Sequence, residues 1–395
     1  MSKRTIVTMP GDGIGKTVLP EAIRTLNAVD FNADYIHADI GWEFWCKEGN
    51  PLPQRTLDLL KEHKVSLFGA ITSKPKTEAA NELAPDLQDK GYVYYSPIVG
   101  LRQHFNLDIC IRPCKSFKDN PLNFIRKGKN NTIEEPEVDV VIFRQNTEGL
   151  YCGIEWTNPS AEVYAALNTH PKMKNFTWCP KEELAISTRI FTKKATERII
   201  RAAFEHAKNF GYKTVTLCEK PNVIRETSGM MLAYAKDIAK EYDGISLRNT
   251  NIDAQMMWLT KNPEAYGVFV SGNMFGDILS DGFAGLTGGL GFACSANIGK
   301  DVAVFEPTHG SAPKYAEYET SIVSPIAMIL SACMMLDHIG ETEKASKIRN
   351  AISKAVEQGK VRTYDMLKLS GSQDVLNQGA ASTTQMTDEI IKHLK

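Results

Sequence analysis

Apolar and polar positions along the chain follow two periods, one typical of strands and one typical of helices. Residues 5–9 and 65–70 are short apolar runs of the kind that form buried strands. Residues 192–210 carry apolar side chains at helical spacing, and Gly211 stands where a glycine commonly ends a helix. This alternation predicts an α/β protein whose largely parallel sheet has helices on its faces.

The same periods predict most of the remaining elements. They are strands at 138–143, 214–217, 267–270 and 302–305, and helices at 53–63, at 324–338 and from about residue 17. The helix at 324–338 is apolar nearly all round, so we expect it to be buried in the core or between subunits. Residues 115–131, rich in lysine and asparagine, predict a solvated loop or edge, and residues 159–180 predict irregular structure.

Length and composition limit the classes of protein. A chain of 395 residues exceeds one ordinary core, so we expect two lobes, interleaved or sequential. The balance of 46 basic and 47 acidic residues argues against a nucleic-acid-binding protein, which carries a basic excess.

Cysteine usage and apolar segments predict the compartment. The eight cysteines form no C-x-x-C pair, which is typical of reduced thiols in a reducing compartment. The sequence shows no signal-peptide core, and its longest apolar segment, 325–336, is too short to span a bilayer. We therefore expect a cytoplasmic protein, or one of the mitochondrial matrix if a transit peptide has been removed.

Residues 271–291, SGNMFGDILSDGFAGLTGGLG, combine acids and glycines in a pattern that predicts a metal site. A helix after a short strand carries Asp277 and Asp281, which share one face with Cβ atoms about 5–6 Å apart. Oxygen ligands on one rigid face suit Mg²⁺ or Mn²⁺. Such a pair can also be a solvated helix face, but the interleaved apolar residues and the following glycines favour the metal site.

Three arginines predict the class of substrate. Arg102, Arg112 and Arg144 each stand at the end of an apolar run, and the planar fork of arginine pairs bidentately with carboxylates. A polycarboxylate substrate is one interpretation, and salt bridges to the protein's own acids are the other. Lys220 follows the strand at 214–217, where a lysine beside a metal site could transfer protons.

The glycines of residues 10–15, PGDGIG, are spaced G-x-G-x-G and not G-x-G-x-x-G as in the dinucleotide fingerprint. We therefore expect a tight strand-to-helix turn there. Ligands of a parallel sheet are instead expected at loops that follow strands, such as residues 71–75.

Six segments together resemble one family, the metal-dependent decarboxylating β-hydroxyacid dehydrogenases, which include isocitrate, isopropylmalate and homoisocitrate dehydrogenases. In the family's order they are PGDGIG, LRQ…ICIRP, VVIFRQNTEGLYCGIEW, EKPNVIRETSG, NMFGDILSD and FEPTHGSAPKYA. The resemblance implies a two-lobed α/β fold that is not a Rossmann fold, a mixed sheet flanked by helices, and an obligate homodimer with shared active sites. It also implies a large cofactor-binding domain of residues 1–107 and 288–395, and a small substrate and dimerisation domain of residues 108–287 with a clasp-like excursion at 149–192.

The resemblance assigns roles to single residues. The implied metal ligands are Asp277 and Asp281 of one chain with Asp253 of the other, and the implied catalytic residues are Tyr151, Lys220 and Asp253, with Lys220 acting across the dimer. The implied substrate ligands are Ser96, Arg102, Arg112 and Arg144. The implied cofactor ligands are Thr72, Asn222, His309, Gly310, Ser311, Ala312, Lys314, Tyr315, Ser324, Tyr364 and Lys368.

Substrate and cofactor follow from single positions within that resemblance. Ser96 beside the arginines fits the third carboxylate of isocitrate, whereas Ile98 stands where isocitrate enzymes often have asparagine. Homoisocitrate and 3-isopropylmalate are therefore the alternatives. Lys314 and Tyr315 resemble the residues of NADP users, which meet the 2′-phosphate with cations and phenols, and NAD is less expected. Ser324 replaces an asparagine that commonly contacts adenine.

We therefore expect an NADP-dependent isocitrate dehydrogenase of the tricarboxylic acid cycle that uses Mg²⁺ or Mn²⁺ and produces 2-oxoglutarate. A different class remains open: a non-catalytic regulatory subunit of a hetero-oligomeric dehydrogenase. Such a subunit would be expected to lose the tyrosine, the lysine or a metal aspartate, and all of these are present here.

Overall fold

Strands and α-helices alternate along the computed structural model, which describes residues 3–394. The strands are β1 (Arg4–Gly11), β2 (Ala33–His37), β3 (Val65–Ala70), β4 (Ile109–Lys115), β5 (Arg126–Lys127), β6 (Ile133–Glu134), β7 (Asp139–Gln145), β8 (Glu155–Thr157), β9 (Ala185–Ser187), β10 (Thr214–Glu219), β11 (Ser246–Asn251), β12 (Val268–Ser271), β13 (Cys294–Ile298) and β14 (Ala303–Pro307). The helices are α1 (Gly15–Ala28), α2 (Trp42–Glu48), α3 (Gln54–His63), α4 (Lys76–Asn81), α5 (Pro97–His104), α6 (Ala161–Asn168), α7 (Lys193–Phe210), α8 (Thr227–Ala239), α9 (Ile252–Trp258), α10 (Asn273–Leu286), α11 (Pro313–Ala316), α12 (Ile326–His338), α13 (Thr342–Gln358) and α14 (Thr383–Lys392).

Ten of these strands form one mixed sheet in the order β11-β10-β12-β7-β4-β13-β14-β3-β1-β2. Strand β4 runs antiparallel to both of its neighbours, and β13 runs antiparallel to β14. The other neighbouring pairs are parallel. The predicted α/β class with a mixed sheet flanked by helices is confirmed.

The sheet has two halves that meet where β4 pairs with β13, with Ile111 opposite Ala296. Strands β1, β2, β3, β13 and β14 form one half, and β4, β7, β10, β11 and β12 form the other. We propose that the two predicted domains, 1–107 with 288–395 and 108–287, divide along this junction.

Each half has its own apolar core. Helix α12 is buried on nearly all sides within the described chain, among α1, α13 and β14, as its apolar circumference predicts. Helix α7 covers the other half and packs Ile200 and Phe204 against Val215 and Leu217 of β10. Thr192 caps its first turn by accepting a hydrogen bond from the amide of Ala195 at 3.3 Å.

Two segments differ from the sequence prediction. The segment 115–131 is only partly a solvated loop: Lys118 and Asp119 are exposed as predicted, but Asn120 and Asn123 are buried and the Phe117 ring packs 5.7 Å from that of Phe292. Residues 159–180 are not wholly irregular, because Ser160 caps helix α6 and a 3-10 turn follows at Pro171–Phe176. Both segments lack the apolar periodicity from which buried or helical structure is predicted.

Residues 149–192 leave the main sheet, and β8 pairs with β9 in a separate two-stranded ribbon. Of the helices described between residues 3 and 394, none combines the length and the apolar character that crossing a membrane requires.

Candidate active site

Two arginines and two aspartates meet where β4, β7 and α10 converge. Arg112 on β4 donates from Nη1 to Asp277 Oδ1 at 2.9 Å and to Asp281 Oδ1 at 3.4 Å. Arg144 on β7 donates from Nη1 to the same Asp277 oxygen. The structure therefore brings together four residues that the sequence proposes for substrate and metal binding. Each arginine here already pairs with an acid of its own chain, the alternative that the sequence left open.

Two residues that the sequence reasoning missed hold these arginines in place. Ser280 Oγ accepts from Arg112 Nη1 at 2.8 Å, and Asn273 Oδ1 accepts from Arg144 Nε at 2.9 Å. Both lie on α10 within the segment already singled out. The signal that could have found them is helical spacing from Asp277.

The aspartates of the cluster are more exposed to solvent than its arginines, so the solvent-facing side of the cluster is negative. The arginine side chains are 8% and 3% exposed, whereas Asp277 is 30% and Asp281 59% exposed. Partial burial raises the pKa of Asp281; the Arg112 charge opposes this rise and the Asp277 charge adds to it. Burial lowers the pKa of Arg144 to about 10, and repulsion from Arg112 acts in the same direction.

The donor set fits a hard divalent cation, because two carboxylates on one helix face present exposed oxygen atoms. A cation between Asp277 and Asp281 would relieve the repulsion that raises the pKa of Asp281. Among residues 3–394, however, no three His, Cys, Asp or Glu side chains come together as a complete ligand set.

Tyr151 joins the cluster from the start of the excursion. Its hydroxyl donates to Asp277 Oδ2 at 3.3 Å, and the Arg144 guanidinium carbon lies 5.6 Å from its ring centroid. Desolvation raises the pKa of Tyr151, and the Asp277 charge adds to the rise. The phenol therefore keeps its proton at neutral pH, as a general acid requires.

Arg102 makes its hydrogen bonds outside this cluster, although its charge helps to lower the pKa of Arg144. It donates from Nε to Asn297 Oδ1 at 3.1 Å and from Nη2 to Glu306 Oε1 at 3.0 Å, which ties it to β13 and β14. Ser96 directly precedes α5, the helix that carries Arg102. Within the described residues, the Ser96 hydroxyl makes no hydrogen bond.

Lys220 and Asp253 form a second group. The Lys220 ammonium donates to Asp253 Oδ1. Within residues 3–394 neither side chain hydrogen bonds to Tyr151, Asp277 or Asp281, so the chain separates its predicted catalytic residues into two groups. Asn222 follows Lys220 in an exposed loop.

A cavity of about 690 Å³ lies between α11, the residues just before α12 and the loop after α10. Six predicted cofactor ligands line it: His309, Gly310, Ala312, Tyr315, Ser324 and Tyr364. Desolvation lowers the pKa of His309, and within the described residues its buried Nε2 has no hydrogen-bond partner. A neutral imidazole with a free ring nitrogen fits a polar ligand, and the volume suits a cofactor.

Other predicted cofactor ligands lie around the cavity rather than in its lining. Thr72 and Ser311 bond to each other through their hydroxyls at 2.7 Å. The Lys314 ammonium lies 5.6 Å from the Tyr315 ring centroid, and Lys368 is exposed. Asn222 belongs to the loop after β10, away from these residues in the sheet.

The sequence reasoning missed several lining residues, namely Ile14, Leu122, Asp365 and the glycines of 288–291. Asp365 directly follows Tyr364, and Ile14 lies in PGDGIG, so both were within reach of that reasoning. Leu122 was not, because its segment has the composition of a solvated loop.

Comparisons with known proteins show the family of the chain. The family described as isocitrate/isopropylmalate dehydrogenase matches residues 5–390. The chain is 38% identical over 390 residues to the homoisocitrate dehydrogenase of Methanocaldococcus jannaschii, covering 99% of this chain and 97% of that protein. It is 37% identical over 390 residues to protein DlpA of Legionella pneumophila, covering 98% of this chain but only 58% of DlpA.

A solved structure is similar over the whole fold. The isocitrate dehydrogenase of Methylococcus capsulatus superposes with a TM-score of 0.80 at 34% identity, and the match covers 99% of each chain.

Proposed function

Because the chain belongs to the isocitrate/isopropylmalate dehydrogenase family, we propose that it catalyses the oxidative decarboxylation of isocitrate to 2-oxoglutarate with NADP. The observation that carries the proposal is the cluster of Arg112, Arg144, Asp277 and Tyr151, which combines carboxylate recognition, a cation site and a proton donor. A regulatory subunit without activity would have no need of this complete set.

The residues have distinct roles in the proposed reaction. Arg112 and Arg144 bind substrate carboxylates in place of the Asp277 contact, and a cation at Asp277 and Asp281 supplies Lewis-acid stabilisation of negative charge. NADP supplies the hydride acceptor. Lys220, as the neutral amine, would take the proton of the substrate hydroxyl, and Tyr151 would protonate the carbon from which carbon dioxide has left.

The surroundings of Ile98 support a second candidate substrate. Ile98 is buried in an apolar cluster with Leu52 and Leu101, and its neighbour Val99 is 36% exposed. Neither side chain offers a donor to a third carboxylate, so Ser96 is the remaining polar group there. Homoisocitrate or 3-isopropylmalate is therefore the alternative substrate.

NADP is proposed over NAD because cationic and phenolic groups lie together at one end of the cavity. Lys314 lies over the ring of Tyr315, whose centroid is 5.6 Å from that of Tyr364. A 2′-phosphate needs positive charge and hydrogen-bond donors, which Lys314 and Lys368 would supply.

A homodimer with shared active sites is proposed from an exposed apolar surface. Met257 and Trp258 on α9 and Ile278 on α10 are each more than 40% exposed. Exposed apolar patches mark interaction sites, and these helices also carry Asp253 and Asp277. A twofold contact there would bring Asp253 and Lys220 to the partner's Asp277 cluster.

The decisive assay follows absorbance of the reduced nicotinamide. Isocitrate, homoisocitrate and 3-isopropylmalate are supplied in turn, each with NADP or NAD, and with Mg²⁺ or EDTA. We expect the highest kcat/KM with isocitrate, NADP and Mg²⁺. Turnover of another substrate, or a preference for NAD, would replace that part of the proposal, and no turnover with any would remove it.

Subunit complementation tests the shared site. Tyr151→Phe and Lys220→Met should each be nearly inactive alone. In a randomly mixed, refolded sample about half the dimers are hybrids with one intact site, so about a quarter of wild-type activity should return. Recovery of none would mean that both residues serve the same chain's site.

A further inference from the structure

A buried ion pair, Arg189–Glu219, lies where several elements of the proposed active site meet. The Glu219 side chain has 0% exposure, and Arg189 Nη2 donates to its two oxygens at 3.1 and 2.8 Å. Arg189 ends the excursion just after β9, and Glu219 is the last residue of β10, directly before Lys220. The proposed mechanism uses neither residue.

Glu219 also joins two helices to this strand end. Its Oε1 accepts from the amide of Gly272 at 2.8 Å, the residue that precedes α10. Its Oε2 accepts from Ser228 Oγ on α8 at 2.5 Å, and the same Oγ accepts from Arg189 Nη1 at 2.9 Å. A single carboxylate thus fixes the start of the helix that carries Asp277.

The surroundings leave the pair little freedom. A Cβ atom at Gly272 would lie 2.6 Å from Glu219 Oε1 and 2.7 Å from the Phe191 ring. The Arg189 guanidinium carbon lies 4.6 Å from the Phe191 centroid and 5.0 Å from that of Phe275. Glycine at 272 therefore allows the helix to approach the carboxylate, and two rings enclose the arginine.

Stability alone is a weak reason for such an arrangement, because desolvation largely cancels the attraction within a buried ion pair. Its location gives a stronger reason. Glu219 is bonded directly to Lys220 in the chain, and the amide that Glu219 binds belongs to the residue before the helix of Asp277 and Asp281.

We propose that Arg189 and Glu219 are positioning residues that hold Lys220 and the acidic face of α10 in one fixed relation. The inference rests on the proposed function, in which Lys220 serves the partner's site while Asp277 serves its own. The pair therefore connects the two active sites of a dimer through protein groups that touch no substrate. Misplacing a catalytic group by about 1 Å can cost about 10²-fold in rate.

The test compares Arg189→Met, Arg189→Lys and Glu219→Gln with the control Arg201→Met, which breaks an exposed bidentate pair with Glu241 at 2.6 and 2.8 Å. We expect kcat to fall about 10²-fold in Arg189→Met and Glu219→Gln. Arg189→Lys should recover part of that loss because it keeps the charge. The KM for NADP should change much less than kcat, since the cavity is formed elsewhere and Asn222 is the one predicted cofactor ligand beside Lys220.

A titration with Mn²⁺ alone, followed by electron paramagnetic resonance, gives a readout independent of turnover. Affinity should fall about tenfold or more in Arg189→Met and Glu219→Gln and stay unchanged in Arg201→Met. Unchanged Mn²⁺ affinity and kcat in folded Arg189→Met, with only reduced resistance to denaturant, would show that the pair is merely structural.

The inference also remains testable if a variant does not fold or if the wild type is inactive. If Arg189→Met does not fold, Glu219→Gln decides the question, because it keeps the side-chain volume but turns an amide NH2 group toward the donors of Arg189 and Ser228 that the carboxylate accepted from. If the wild type turns over none of the substrates, the proposed function fails, yet loss of Mn²⁺ affinity in Glu219→Gln would still support the positioning of α10.

Discussion

Although Asp277 and Asp281 lie on the same helix face, we expect Asp277 to contribute more to folding stability. Asp281 should contribute mainly to metal binding. The perturbation is a matched pair of substitutions, Asp277→Ala and Asp281→Ala. Asp277 accepts from two buried arginines, whereas Asp281 has one long contact of 3.4 Å and is 59% exposed. Alanine has the same helix propensity at both positions, so the difference between the variants reports their contacts.

The expected costs follow from these contacts. Without Asp277, Arg144 keeps Asn273 as its acceptor, and repulsion from Arg112 is no longer offset. Hydrogen bonds to charged groups are worth about 1.5–3 kcal/mol each, so after allowance for the partial exposure of Asp277 we expect a loss of about 3 kcal/mol. Loss of the exposed Asp281 contact should cost less than about 1 kcal/mol.

The assay is chemical denaturation in EDTA and again in Mg²⁺, with Asp388→Ala as the control for removing an aspartate from a helix. Asp388 lies on α14 and pairs with Arg24 at the surface. A metal at about 100 times its Kd stabilises the native state by about 2.7 kcal/mol. That increment should appear in the wild type and in the control and disappear in both cluster variants.

Two results would refute the reasoning. Equal unfolding free energies of the two variants in EDTA would mean that the arginines do not depend on Asp277. An undiminished Mg²⁺ increment in either variant would mean that the cation is held elsewhere.

Three further predictions follow from other parts of the molecule. Lys314→Glu should lower kcat/KM for NADP at least about tenfold and leave kcat/KM for NAD unchanged, because the new carboxylate would repel the 2′-phosphate. Steady-state kinetics with both cofactors would measure this difference, and equal losses would contradict the prediction. Burial lowers the pKa of His206 to about 4 from an ordinary value of 6.5. The contribution of the neutral imidazole to the free energy of unfolding, present at pH 7, should therefore be lost as the pH falls from 6.5 to 4. Thermal unfolding of His206→Gln should show a shallower loss, and parallel curves would disprove the assignment. Asp12 accepts hydrogen bonds from the amides of Trp42 at 2.7 Å and Thr72 at 2.8 Å. Asp12→Asn keeps only one acceptor oxygen, so it should lower the free energy of unfolding in urea by about 1–3 kcal/mol. An unchanged unfolding midpoint would argue against this prediction.

The sequence predicts the elements with strong periodicity and predicts little where contacts alone define the structure. Strand 65–70 follows from an apolar run that is buried on both faces of the sheet, and the helix after Thr192 follows from apolar side chains that face one core. Helix α6 was missed because it presents exposed residues on all sides and depends on the Ser160 cap. Local pattern carries no information about the residues against which a segment packs, and this explains why the burial of Asn120 and Asn123 was not predicted either.

The candidate site shows the same limit. Spacing on one helix places Asp277 beside Asp281, but the arginines that neutralise Asp277 come from strands far away in the chain. Leu122 and His309 reach one cavity from segments far apart in the sequence, so only the fold brings them together. Residue types predicted the chemistry, whereas their pairing required three-dimensional structure.

The interleaved order of the sheet has a consequence for synthesis on the ribosome. Strand β3 pairs with β14, with Val65 opposite Ala303, so the first strands wait for a partner that is translated near the end. Residues 108–287 are contiguous and supply every strand of their own half. They can complete that half while the earlier strands still expose an open hydrogen-bonding edge, the kind of surface that aggregates. Slow translation of the last hundred residues would prolong that exposure, and nascent chains stalled there should be the ones that chaperones retain.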